Sequence, residues 1–155
     1  MSLTEQQFIP SPPFSLPQNP FLTNILFRLN KIAFNEELYE NAGIFYLKKT
    51  QKPFSGIWYD RTNQVNGRFK LGLKTGPWIE YIRPEEFEKP ILTPAKTSGY
   101  YQKGKKEGIW VEYWKDAQLI PYKRSCFFVQ GEKRGSAVEW KWSDYDLGWI
   151  FCQND

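Results

Sequence analysis

From about Glu36 to Phe151 the chain alternates apolar and polar positions in short runs separated by glycine, which is the signature of strands joined by tight turns. Glu37-Leu38-Tyr39-Glu40 and Ile44-Phe45-Tyr46-Leu47 read as two strands about the turn Asn41-Ala42-Gly43. Ahead of them the period is different. Phe21, Leu22, Ile25, Leu26 and Leu29 recur at helical spacing behind Asn19 as N-cap and Pro20 at the first helical position. We therefore expect a short amphipathic helix within 21–34 whose apolar face caps the protein's own sheet, the other use of such a face being to dock a partner. Residues 10–20 contain Pro10, Pro12, Pro13, Pro17 and Pro20, so residues 1–20 read as an extended, flexible arm. The division expected is an arm over 1–20, a helix over 21–34 and a β domain over 35–155.

The β domain repeats itself. Gly56-Ile57-Trp58-Tyr59-Asp60, Gly76-Pro77-Trp78-Ile79-Glu80-Tyr81, Gly108-Ile109-Trp110-Val111-Glu112-Tyr113 and Gly135-Ser136-Ala137-Val138-Glu139-Trp140 align without gaps. The last three follow a second glycine four residues earlier, Gly72, Gly104 and Gly131. An aromatic residue precedes each of those by three positions, at Phe69, Tyr101 and Phe128. Ala137 is the exception to the tryptophan position. The glycine pair predicts a tight turn with positive φ at both ends, so each unit is a hairpin. In the second strand the period of two sets Trp78 and Glu80 on one face and Ile79 and Tyr81 on the other. An indole beside a run of glycines is explained if it lies over bare backbone of a neighbouring hairpin. The expectation is a mainly β protein of stacked hairpins forming one elongated, twisted antiparallel sheet. The prolines at 84, 90 and 94 mark an inserted loop, and Lys141–Phe151 is expected to supply the last strand.

Tyr101-Gln102-Lys103-Gly104-Lys105-Lys106-Glu107-Gly108-Ile109-Trp110-Val111-Glu112-Tyr113 resembles the variant MORN (membrane occupation and recognition nexus) repeat. The lead-in from Tyr39 to Lys49, with Pro53-Phe54-Ser55-Gly56, is similar to the opening of the YwqK-like bacterial antitoxin family. The resemblance covers about residues 36–140. It implies a MORN-like hairpin meander and a non-enzymatic antitoxin or immunity protein that neutralises a cognate toxin by direct binding. MORN-type hairpins also occur in scaffolds and peripheral membrane proteins, which is the alternative reading.

Composition narrows the chemistry. The 155 residues contain no histidine, which removes imidazole catalysis and histidine-bound zinc, and 7 Trp, 9 Tyr and 12 Phe, which suit an aromatic-rich β fold. Two cysteines, Cys126 and Cys152, lack both a disulfide framework and metal-ligand spacing. No cofactor, metal, nucleic acid or small-molecule substrate is expected, and no secretory leader is visible, so a cytoplasmic location is the expectation.

Two surfaces are candidates. Trp58, Trp78 and Trp110 with Glu80 and Glu112 form the expected partner-binding face, Asp60 and Glu139 extending its acid column; periodic acids of this kind are solvated or ion-paired rather than catalytic. Lys74, Lys103, Lys105, Lys106, Lys133 and Arg134 form a basic ridge at the turns, suited to solubility, to an anionic lipid surface, or to steering an acidic partner. The net charge of +4 bears on the toxin as well. A basic inhibitor suits an acidic toxin, unless the acid column meets a basic one locally.

Overall fold

A computed structural model describes Phe14, residues 18–29, 31–87, Ile91 and 95–152. The Pro-rich arm, apart from Phe14 and residues 18–20, lies outside the described residues. The fold is mainly β, an open twisted sheet of hairpins with one short N-terminal helix, as the hairpin repeats predict. Helix α1 (Pro20–Arg28) begins where the cap signal places it: the Phe21 N–H donates to Asn19 Oδ1 at 2.9 Å. It stops earlier than the expected 34. Ile32–Phe34 form β1, pairing in parallel with β5 (Gly56–Asp60). The β-branched Ile32 and the buried Ala33 and Phe34 suit a strand covered on both faces. The capping expectation for the helix is overturned. Phe21 is 70 % exposed, and Leu22, Ile25 and Leu29 are exposed with it; only Leu26 of that face is half-buried.

β2 (Leu38–Asn41), β3 (Ile44–Leu47) and β4 (Lys52–Pro53) make a small sheet of their own, the first two paired as the sequence predicts. The main sheet adds β6 (Val65–Lys70), β7 (Leu73–Ile82), β8 (Ala95–Gln102), β9 (Lys105–Lys115), β10 (Pro121–Val129), β11 (Glu132–Ser143) and β12 (Gly148–Cys152). Its order is β1-β5-β6-β7-β8-β9-β10-β11-β12, so after the first parallel pair each strand neighbours the next in sequence. The residues group into two compact units. One comprises the described residues of 12–79 with 100–105, the other those of 80–99 with 106–152.

In the first unit the core is aromatic. Trp78 stacks on Trp58 at 5.3 Å and meets Phe69 and Tyr101 edge-on, while Phe69 also packs against Phe45 and Phe54. The small sheet is tied in through backbone: the Phe45 N–H donates to the Gly72 carbonyl and the Gly72 N–H to that of Phe54. Phe14 reaches the same unit, its carbonyl accepting from Asn66 Nδ2 at 2.8 Å and its ring lying under the Arg68 guanidinium. In the second unit Trp110 packs against Phe128. A separate cluster forms where the insertion returns, with Phe87 and Ala95 on Trp114, flanked by Ile82, Ile91 and Tyr122.

The turns differ from the expectation in one respect. Lys103 (φ 49°) and Gly104 (φ 80°) form the whole two-residue loop, and Leu71-Gly72 and Gln130-Gly131 repeat it. This is the primed turn that matches strand twist, and its second position favours glycine. The other glycine of each pair is not in the turn. Gly108 (φ 72°) lies inside β9, with open space where a Cβ would project, so glycine is kept there for its conformation alone. Gly108→Ala is therefore expected to cost about 1–2 kcal/mol, the left-handed penalty, read as a shift in denaturation midpoint with an unchanged m-value.

Candidate functional site

What the inner glycine achieves is visible in the register. Arg68 pairs with Thr75 and Asn66 with Ile79, so Gly76-Pro77-Trp78 stand opposite Gly67 alone. The bulge swings the indole back across its own hairpin. A Cβ on Gly67 would fall inside the Trp78 ring, and one on Gly99 inside Trp110. The indoles therefore cover bare backbone, but of the preceding strand of the same hairpin, at a glycine eleven residues upstream. The third copy exchanges both partners at that spacing: Cys126 stands where the glycine was and Ala137 where the tryptophan was. This pairing accounts for the one exception in the repeat.

The expected tryptophan face is consequently mostly interior. Trp78 and Trp110 are each 1 % exposed, and Trp58 is half-buried in its stack. The acids on that side are engaged. Glu80 pairs with Lys106 Nζ at 3.2 Å; Glu112 Oε2 accepts from Arg124 Nε and Nη2, each at 2.6 Å. Asp60 accepts from the Thr62 and Asn63 backbone N–H groups and from Asn63 Nδ2, holding the next turn. Glu139 lies directly across from Arg124 on β11, so a cation stands between two acids in one row. Burial works against the charge on Arg124, but Glu112, Cys126 and Glu139 together outweigh it and hold the guanidinium more firmly charged.

The basic ridge is divided by the same geometry. Lys74 Nζ lies 4.8 Å from the Trp78 centroid and 5.0 Å from that of Tyr101, and Lys106 Nζ 4.2 Å from that of Trp110. These two lysines cover the buried rings as cations over π faces. Lys133 holds the corresponding place in the third copy, where no ring exists, and its charge acts on the Cys126 thiol. Lys103 and Lys105 are exposed at the turn, and Arg134 pairs with Glu132 at 2.6 Å.

Cys126 and Cys152 are not joined in a disulfide, and β11 lies between their strands. Burial, aided by Glu112, pushes the Cys126 thiol up, against a smaller opposing effect of Lys133 and Arg124. A raised thiol carries less reactive thiolate at any neutral pH. Ellman's reagent is expected to label the half-exposed Cys152 in the folded protein and Cys126 only after denaturation; two equivalents reacting at one rate would contradict this burial.

The surface that sequence reasoning missed is the other face of β9–β12. Cross-strand register places Ile109 beside Phe127; Val111, Ser125 and Val138 form the next row; Tyr113, Lys123, Trp140 and Phe151 form the third. Ile109 is 65 % exposed, Phe151 55 % and Phe127 48 %, with Val138 also exposed. Arg134 stands opposite Phe127 at the end of the first row, paired with Glu132; the other charge in these three rows is Lys123. Its Nζ lies 5.1 Å from the Trp140 centroid and 4.6 Å from that of Trp149, and burial lowers its proton affinity. Burial likewise raises the Tyr113 phenol, which stays neutral. Positions 109, 127, 138 and 151 could have been found by following the opposite parity of the repeat from the tryptophans, because every strand there places an apolar residue out of phase with the core.

Among the described residues no group of three or more cysteines and carboxylates is placed to hold a metal ion, and no helix is long and apolar enough to cross a membrane. In comparisons with protein-family models, with characterised proteins and with solved structures, nothing matches this chain.

Proposed function

We propose that the chain is a non-enzymatic antitoxin or immunity protein that neutralises a toxin by binding it through the exposed face of β9–β12. The observation that carries this is the patch of large apolar side chains, Ile109, Phe127, Val138 and Phe151, spread over three neighbouring rows and held outward on a hydrogen-bonded sheet. A contiguous apolar face on a rigid scaffold marks an interaction surface. The carboxylates that an enzyme reading needs are engaged: Glu80 and Glu112 in ion pairs, Asp60 in turn hydrogen bonds. The antitoxin role rests on the resemblance of the repeats and their lead-in to the YwqK-like family, and the toxin is the partner that role requires.

The test is protection. A toxic protein encoded beside this chain is expected to be tolerated by cells only when this chain is co-expressed, and to co-purify with it. Phe127→Asp combined with Phe151→Asp is expected to weaken the complex at least about tenfold, since buried aromatic anchors dominate interface energy. The same variant should unfold at the wild-type temperature to within a few degrees, because neither side chain is in the core. Protection that survives this double substitution would move the binding site elsewhere, and failure of every such neighbour to be neutralised would end the antitoxin reading.

A further inference from the structure

We infer that Lys123 is the specificity anchor of the β9–β12 face, and that the partner segment it receives is an apolar stretch of polypeptide carrying a carboxylate. This rests on the reading that the face binds a protein. The ammonium group stands in a row of aromatic side chains, Tyr113, Trp140 and Phe151, with Trp149 also beneath it. No carboxylate lies in its three rows, since Glu112 and Glu139 project from the opposite side of the sheet beside Arg124. Its ammonium lies over the Trp140 and Trp149 rings, 5.1 and 4.6 Å from their centroids.

A cation so placed loses water when the face is covered. An apolar partner without a negative group would leave that charge buried and unpaired, which is strongly disfavoured. A carboxylate arriving with the apolar side chains would form a charge-assisted hydrogen bond inside a dry rim, the arrangement that discriminates partners most sharply. Apolar contact supplies affinity, and Lys123 sets the sign of charge the face accepts. The same surface is poorly suited to single-stranded nucleic acid despite its aromatic residues. A strand of phosphates needs a row of cations, and here Lys123 stands among aromatic and aliphatic side chains while Arg134 is already paired with Glu132.

The experiment uses two synthetic peptides, acetyl-(Leu-Glu-Phe-Glu)3-amide and its lysine twin acetyl-(Leu-Lys-Phe-Lys)3-amide, with a dodecamer of thymidylate as third probe. Each is titrated into the full-length 15N-labelled protein at low salt. The glutamate peptide is expected to bind at least tenfold tighter than the lysine peptide and to move the Trp140 and Trp149 indole N–H signals. Lys123→Arg should keep that preference, Lys123→Met should abolish it, and Lys123→Glu should reverse it. Lys105→Glu changes net charge by the same amount from the turn, and should leave the preference in place. The inference is overturned if the two peptides bind alike, if neither binds, if Lys105→Glu acts as strongly as Lys123→Glu, or if the thymidylate binds tighter than the glutamate peptide. Signals moving only on the Trp110 side of the sheet would overturn it too. Toxin protection indifferent to Lys123→Met rejects this inference alone, whereas peptide selectivity without any protection rejects the neutralising role alone.

Discussion

Gly99→Cys is expected to destabilise the protein by about 3 kcal/mol, and Trp110→Ala by about 3–5 kcal/mol, yet the two together should cost clearly less than the sum. The first substitution forces atoms into the space of the Trp110 indole, which is 1 % exposed and has no room to retreat. The second leaves a cavity over Gly99. Combined, the new side chain enters the space that the ring vacated, so each change relieves part of the other. The double variant reproduces what the third copy already contains, Cys126 with Ala137. Urea denaturation of the four proteins measures the cycle, and an interaction energy near zero would show that ring and glycine are not packed as a pair. Gly108→Ala provides the contrast within the same strand, because there only backbone conformation is at stake.

Phe87→Ala should be nearly as damaging, at about 3–4 kcal/mol. Phe87 is buried with its ring 5.1 Å from Trp114, and the Arg124 guanidinium lies over it at 5.6 Å. It comes from the proline-marked insertion and covers the end of the sheet face that the repeats themselves leave open. Removing the ring exposes Trp114, so its fluorescence emission should move to longer wavelength in the folded state while the melting temperature falls. An unchanged emission spectrum would mean that the insertion does not shield Trp114. Because Arg124 also loses one face of its packing, the pair with Glu112 should become more sensitive to salt.

Much of this fold is legible in the chain because it is built from local pairings. Each hairpin closes within a few residues, the turn needs a glycine at a set position, and alternation assigns every strand residue to one side of the sheet. Most strands after Phe34 follow from those rules. Lys141–Phe151 is not the single last strand expected, because Lys141–Ser143 complete β11 and a turn over 144–147 precedes β12. The helix does not follow from them. Its apolar stripe at Phe21, Leu22, Ile25 and Leu29 is indistinguishable in sequence from one that faces a core, yet in the fold those side chains are exposed. The candidate site was misjudged for a related reason. Tryptophans with acids beside them look like an interface from sequence, but the bulge at the inner glycine folds the indoles inward, and a bulge depends on both strands of a pair.

Spacing alone determined the hairpin as the unit, the positions of the turns and the division of each strand into two faces, since these follow from chain geometry over short distances. Which face is interior was decided by tertiary structure. Trp78 and Trp110 find bare glycine on the adjoining strand, Phe87 arrives from a distant loop to cover Trp114, and the opposite side keeps Ile109, Phe127 and Phe151 in solvent around Lys123. Burial depends on what lies across a strand and above it, and those neighbours are set by how hairpins pack rather than by any one segment.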